Sequence, residues 1–335
     1  MQAVQKIPLP SPATFEKELR DQYQPLVMRG AAADWPLVEA AQRSPDEALA
    51  MVRSADTGQP ADIMLTVPEE KGRFFYNAEM TGFNFARKQA TLTQLVDELQ
   101  RQTADAAQPN GIYAGATPMR SHVPSLMAAN PFPLAETLDD ATARLWLGNA
   151  TQVATHFDMS DNFAVVALGK RRFTLFPPAA TKDLYVGPFD NTPAGQPVSM
   201  VDPLAPDMDR YPRYAAALEQ AQFADLEAGD AIYVPTLWWH HVAASTPVNI
   251  LVNYWHNDAA HGGGFMALMH ALLSIRDLPA VQREAWRAWF DHFIFDADAP
   301  AAADHLPPAA QGIRGPASNE RDAMMRQYIA RTLMR

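Results

Sequence analysis

Hydrophobic positions along this chain recur with two different periods, and the changes between them mark its organisation. The first region mixes both. SPATFEKELRDQYQ (11–24) predicts a helix capped by Ser or Thr, PLVMRG (25–30) a short buried strand, and TLTQLVDELQRQ (91–102) an amphipathic helix with Leu92, Leu95, Val96 and Leu99 on one stripe. From residue 143 to 256 the period becomes two. ARLWLGN, NFAVVAL, RRFTLFP, FADLEAGDAIYVP, HVAAS and VNILVNYW are short runs bounded by Gly, Pro, Asn or Asp, which predicts a β-barrel or sandwich. Residues 183–222 form a long excursion between strands, of the kind that often serves function. After Trp255 the helical period returns in GFMALMHALLSIRDL, PAVQREAWRAWFDHFI and NERDAMMRQYIARTLM, the last two joined by an Ala/Pro-rich linker at 297–317. No internal repeat is visible.

Composition agrees with that reading. The 28 prolines among 335 residues suit a loop-rich β architecture better than a helical bundle, and 48% hydrophobic residues supply a sizeable core. One large barrel with appendages and two domains are both compatible with this length; the change of period suggests 1–258 as the β-rich domain with its N-terminal α/β flank and 259–335 as a helical segment. The start of the chain lacks a cationic stretch followed by an apolar run, so a cytoplasmic location is expected, and no uninterrupted apolar segment has the length of a membrane helix. A net charge of −11 argues against broad nucleic-acid binding.

With no cysteine in the sequence, disulfides and thiolate metal sites are excluded, and any metal must be held by His, Asp or Glu. His156 and Asp158 stand at i and i+2, so on an extended strand both side chains leave the same face. A mononuclear non-haem iron site needs two His and one carboxylate on one side of the ion. A third ligand is available about 80 residues on, where GDAIYVPTLWWHHV offers His240 and His241, of which one can face inward. His-x-Asp alone is common by chance; its combination with a second His set on β-rich sequence is what makes it informative. In RRFTLF, Arg171 and Arg172 lie on opposite faces of a strand, so one guanidinium points into apolar company and calls for an internal acid or an acidic ligand, the alternative being a strand-end Arg that reaches solvent.

Together these residues resemble the cupin-like JmjC-fold oxygenases that use Fe(II) and 2-oxoglutarate, in particular the subgroup of the asparaginyl hydroxylase of hypoxia-inducible factor and the tRNA wybutosine hydroxylase. The resemblance runs from YQPLVMRGAAADWP through THFDMSDNFAVVALGKRRFTLFPP to GDAIYVPTLWWHHVAAS and VNILVNYW, covering roughly residues 1–256. It implies a mainly β fold, a double-stranded β-helix (cupin or jelly-roll) barrel with flanking N-terminal helices and a C-terminal helical segment. It also implies that His156, Asp158 and His240 ligate iron, with His241 pointing away. Asn162, Asn253 and Tyr113 fall where relatives line the cosubstrate pocket, with Trp255 packed nearby. Arg171 occupies the place of a Lys that grips the distal carboxylate of 2-oxoglutarate, and Val153 that of a cosubstrate-binding Thr.

The activity implied is hydroxylation of a protein side chain or a small metabolite, with nucleic acid disfavoured by the charge and no membrane association; the apolar C-terminal helices suggest a homodimer, the alternative being that they cap the open barrel end within one chain. A non-catalytic cupin-like protein that binds a ligand or peptide in an altered pocket is the alternative. A metal-dependent enzyme of another class, such as a cupin isomerase, is a third reading.

Overall fold

A computed structural model describes residues 1–105, 109–256 and 264–333. The chain divides into two compact units, Met1–Asn257 and Asp258–Arg335. The boundary expected at residue 258 lies outside the described residues.

In the first unit the described strands are β1 (Gln2–Ala3), β2 (Gln5–Ile7), β3 (Leu26–Met28), β4 (Ala61–Thr66), β5 (Arg73–Phe74), β6 (Phe85–Ala90), β7 (Gly111–Pro118), β8 (Thr142–Gly148), β9 (Gln152–His156), β10 (Asp161–Leu168), β11 (Lys170–Phe176), β12 (Gln222–Glu227), β13 (Ala231–Val234), β14 (Trp239–Ala244) and β15 (Asn249–His256). They form two mixed sheets. One has six strands in the order β1-β12-β11-β14-β9-β5 and the other nine in the order β2-β3-β13-β10-β15-β8-β7-β4-β6. This is the mainly β architecture that the period-two segments predict, and it agrees with the cupin-like fold that the resemblance implies, with helices on one flank.

Two apolar layers hold the sheets. Ala164, Val166, Leu251, Ile232 and Val234 from the larger sheet pack with Phe173, Leu175, Leu226 and Val242 from the smaller. The opposite parity of the same strands, Phe163, Val165, Ala167, Ile250 and Val252, is covered by helices Pro36–Arg43, Pro45–Ala55 and Leu92–Asp105. A strand buried on both faces has no polar side to show, which explains the almost unbroken apolar run NFAVVAL. The predicted helical stripe is buried as drawn, with Leu92, Leu95, Val96 and Leu99 all in this outer layer. Its start is a reciprocal cap: Gln94 N donates to Thr91 Oγ1 at 3.2 Å and Thr91 N donates to Gln94 Oε1 at 3.0 Å. Near the N-terminus the expected helix is present as short turns of changing pitch from Pro12 to Gln22.

The excursion after β11 returns to the edge of the ligand-bearing sheet, where it bridges the end of β9. Val198 bridges His156, and Ala154, Val198, Phe75 and Tyr76 form a small apolar cluster behind β9.

The second unit contains the three expected helices, Gly264–Ser274, Ala280–Phe290 and Asn319–Leu333. It exposes large apolar groups, including Leu273, Trp289, Ile294 and Phe295. Among the described residues, no helix is long and apolar enough to cross a membrane.

Candidate active site

His156 ends β9 and His240 is the second residue of β14, and the two lie directly opposite in the ladder between those strands. Antiparallel partners send their side chains to the same face, so both rings enter the space between the sheets, their centroids 4.3 Å apart. The register shifts between His240 and Val242, which sets Val242 opposite Val153 rather than Ala154. This bulge turns Val153 as well as His156 toward the pocket. Asp158 follows in the connection to β10. The tight turn before β14 anchors that connection: Leu237 N donates to the Asp158 carbonyl at 2.9 Å, and Thr236 N donates to Asp161 Oδ1 at 2.8 Å. Leu237 adopts φ +63° to do so.

Ligand-type atoms of His156, Asp158 and His240 lie within 4.8 Å of one another. The backbone prepares both rings for a cation. His156 Nδ1 is 2.8 Å from the Ala154 carbonyl and His240 Nδ1 is 2.9 Å from the Trp238 carbonyl. A carbonyl only accepts, so each ring keeps its proton on Nδ1 and turns the Nε2 lone pair to the centre. Burial and the neighbouring His240 ring lower the pKa of His156, which keeps it neutral as a ligand must be. Asp158 Oδ2 is 3.6 Å from His240 Nε2 and accepts from Trp255 Nε1 at 3.0 Å. Two imidazoles and one carboxylate on one side of an open pocket suit Fe(II) or a related divalent ion.

The walls of the pocket include Tyr113, Asn162, Asn253 and Arg171 beside the three ligand residues. All seven residues singled out in the sequence therefore come together. His241 does not: it lies opposite Thr174 on the outer parity of its strand and is buried away from the cluster. Burial holds its pKa down at about 4.

Three cations begin β11, and their fates differ. Lys170 pairs with Glu227 at 2.7 Å and Arg172 with Asp225 at 2.8 Å, both on the neighbouring β12 and both exposed. Arg171 faces Leu226 across the same ladder, points inward, and is 4% exposed. Among the described residues no carboxylate pairs with it; the Tyr113 hydroxyl is its polar neighbour in the pocket, and its Nε has no hydrogen-bond partner. Burial lowers its pKa and raises that of Tyr113. A guanidinium so placed is costly without an anion, and an acidic ligand is what this pocket lacks and would fit. Tyr113 reaches it because Gly148 leaves room: a Cβ there would stand 2.5 Å from the Ile112 carbonyl and 3.0 Å from the Tyr113 ring.

The residue-by-residue reading passed over Trp146, which lines the pocket and donates from Nε1 to Asn253 Oδ1 at 2.6 Å. Strand parity carried the signal, since Leu145 and Leu147 are the outward pair of β8 and Trp146 alternates with them.

A family model described as a cupin-like domain matches residues 12–261. The chain is 27% identical over 282 residues to the bifunctional peptidase and (3S)-lysyl hydroxylase JMJD7 of Homo sapiens, covering 74% of this chain and 82% of that protein. It is 26% identical over 262 residues to lysine-specific demethylase 8 of Xenopus tropicalis, covering 76% of this chain and 52% of that one. Over 93 residues it is 36% identical to the tRNA wybutosine-synthesizing protein 5 of Mus musculus, covering 28% and 27% respectively. The match thus spans about half of the demethylase and about a quarter of the wybutosine protein.

Proposed function

This chain belongs to the cupin-like, JmjC-fold oxygenase family, and we propose that within it the protein is an Fe(II)- and 2-oxoglutarate-dependent hydroxylase acting in the cytoplasm. The observation that carries the proposal is the pairing of a two-His, one-carboxylate cluster with a buried Arg171 that has no counter-ion among the described residues. A site for a metal alone has no use for the second feature. His156, Asp158 and His240 would hold the ion, and Arg171 with Tyr113 would receive the distal carboxylate in a charge-assisted contact. Asn162 and Asn253 would orient the rest of the cosubstrate. When bound, iron with 2-oxoglutarate and oxygen supplies the oxidising chemistry; the protein positions the reactants and excludes water.

The substrate we favour is a protein side chain, with a small metabolite as the other class. A lysyl hydroxylase and a demethylase among the relatives support the first, and the net charge of −11 weighs against RNA. We also propose a homodimer through the second unit, where Leu273 is 80% and Phe295 71% exposed.

The test is turnover of 2-oxoglutarate to succinate by purified protein supplied with Fe(II) and oxygen. Succinate above the level of a His156→Ala control is the expected result. Tight anaerobic binding of 2-oxoglutarate without any succinate would instead identify a cupin-like binding protein, and absence of both would remove the acid-ligand reading.

A further inference from the structure

Four side chains form a single directed row of hydrogen bonds ending on the candidate metal ligand Asp158. Trp146 Nε1 donates to Asn253 Oδ1 at 2.6 Å, Asn253 Nδ2 donates to Asn162 Oδ1 at 3.0 Å, and Asn162 Nδ2 donates to Asp158 Oδ2 at 3.4 Å. Each residue comes from the nine-stranded sheet or the connection into it: Trp146 from β8, Asn253 from β15 and Asn162 from β10.

Two adjacent amides have no inherent direction, because each can turn end for end and exchange its oxygen for its nitrogen. The indole removes that freedom. Its N–H donates and never accepts, so the group it meets on Asn253 must be the oxygen. Asn253 then has only N–H to offer Asn162, which engages the Asn162 oxygen and leaves only N–H for Asp158. Turned the other way, Asn162 would set an amide oxygen against Asp158 Oδ2, two acceptors face to face.

We infer that Trp146 is a positioning residue of the metal centre: its indole N–H fixes the direction of both amides and so delivers a donor to the Asp158 carboxylate. The inference rests on the metal-site reading above. Trp255 supplies a second donor to the same oxygen, and its ring meets Trp146 edge to face with centroids 5.8 Å apart. On its other side Trp146 stacks on Tyr113 at 5.7 Å, so the ring is held in place by packing and the N–H is aimed by it. A consequence follows for the ligand. Both amide oxygens are engaged within the row, while each amide nitrogen keeps one N–H beyond it. Together with Arg171 the wall offers donors, which suits an acceptor-rich oxo-acid and disfavours a ligand of the same shape carrying an amide or amine.

The experiment is a double-mutant cycle on Mn(II) affinity of the metal-free protein, read by calorimetry, with circular dichroism to verify folding. Trp146→Phe and Asn253→Ala should each weaken Mn(II) about 10-fold or more, the usual effect of removing a partner that orients a ligand. Because the row acts in series, the double variant should be no weaker than Asn253→Ala. Parent-like Mn(II) affinity in Trp146→Phe, or additive losses in the double variant, would overturn the inference. A metal-independent readout separates it from the metal reading: the Trp146 indole N–H should exchange slowly with solvent in the parent and fast in Asn253→Ala. If the parent shows that protection but binds no Mn(II), the metal reading fails; if the indole is unprotected in the parent, the row itself is absent.

Discussion

Replacing Arg171 with Met should make the metal-free protein more stable and its cosubstrate binding much weaker, and the opposite signs are the diagnostic. The guanidinium is 4% exposed, has no carboxylate partner among the described residues, and leaves Nε without a hydrogen bond. Dehydrating a lone charge costs several kcal/mol, and apolar replacement of buried charges returns about 1–4 kcal/mol. Against this, the Tyr113 hydroxyl loses its polar neighbour, worth at most about 1 kcal/mol. The balance predicts a higher melting temperature by a few degrees, at about 2–4 °C per kcal/mol for a unit of this size. For binding the balance reverses. Losing a charge-assisted contact in a desolvated site costs about 2–5 kcal/mol, a 30- to 5,000-fold weaker affinity for 2-oxoglutarate. Arg171→Lys keeps the charge but not the planar fork and should fall between. Differential scanning calorimetry on the metal-free protein, and anaerobic titration of 2-oxoglutarate into the Mn(II)-loaded protein, measure the two effects separately. A lower melting temperature with parent-like 2-oxoglutarate binding would show that Arg171 is structural and that the pocket was misread.

Metal titration should separate the adjacent histidines: His240→Ala should abolish tight Mn(II) binding while His241→Ala, whose ring lies on the outer parity, should retain it, and equal loss in both would refute the ligand set. Tyr214 is fully buried and its hydroxyl has no hydrogen-bond partner among the described residues, so Tyr214→Phe should be neutral or stabilising by about 1 kcal/mol in urea denaturation at pH 7; a loss above that would reveal a bonded hydroxyl. Burial raises the pKa of Tyr113, Tyr214, Tyr233 and Tyr254 above the ordinary 10.0, so their contribution is intact below pH 10 and is lost as pH rises beyond it, when the unfolded chain ionises first; an unfolding midpoint flat from pH 9 to 11 would contradict this. Light scattering at micromolar concentration should give a dimer that Trp289→Asp with Phe295→Asp converts to monomer, and a monomeric parent would dispose of the interface proposal.

Much of this architecture was legible along the chain because parity and period are local. Leu92, Leu95, Val96 and Leu99 declared their helix face, and Arg171 and Arg172 were bound to point in opposite directions once RRFTLF was read as a strand. The choice between them was not local. It depends on Glu227 and Asp225 standing across from Lys170 and Arg172 on β12, a register set by about 50 intervening residues. Trp146 escaped for the same reason: a tryptophan in a β run reads as core, and its N–H acquires meaning only beside Asn253, 107 residues later.

The two sheets divide the work of the site. His156 and His240 are paired across neighbouring strands of the six-stranded sheet, so their spacing is fixed by a backbone ladder and would survive most side-chain changes around them. Asp158 lies in the connection between the sheets, where no ladder holds it. Its backbone is tied by the turn at Thr236 and Leu237, and its carboxylate by Asn162 and Trp255 from the nine-stranded sheet. Arg171 and Tyr113 repeat the arrangement, one from each sheet, facing each other across the same pocket. Both halves of the site therefore depend on the distance between the sheets, which the apolar layer of Val166, Phe173, Leu175 and Leu251 sets. A cavity opened there by Leu175→Ala should cost about 2–5 kcal/mol of stability and weaken metal and 2-oxoglutarate binding together, although Leu175 does not line the pocket. Loss of stability with both affinities unchanged, measured by urea denaturation and the same two titrations, would show that the site is held by its own hydrogen bonds and not by the spacing of the sheets.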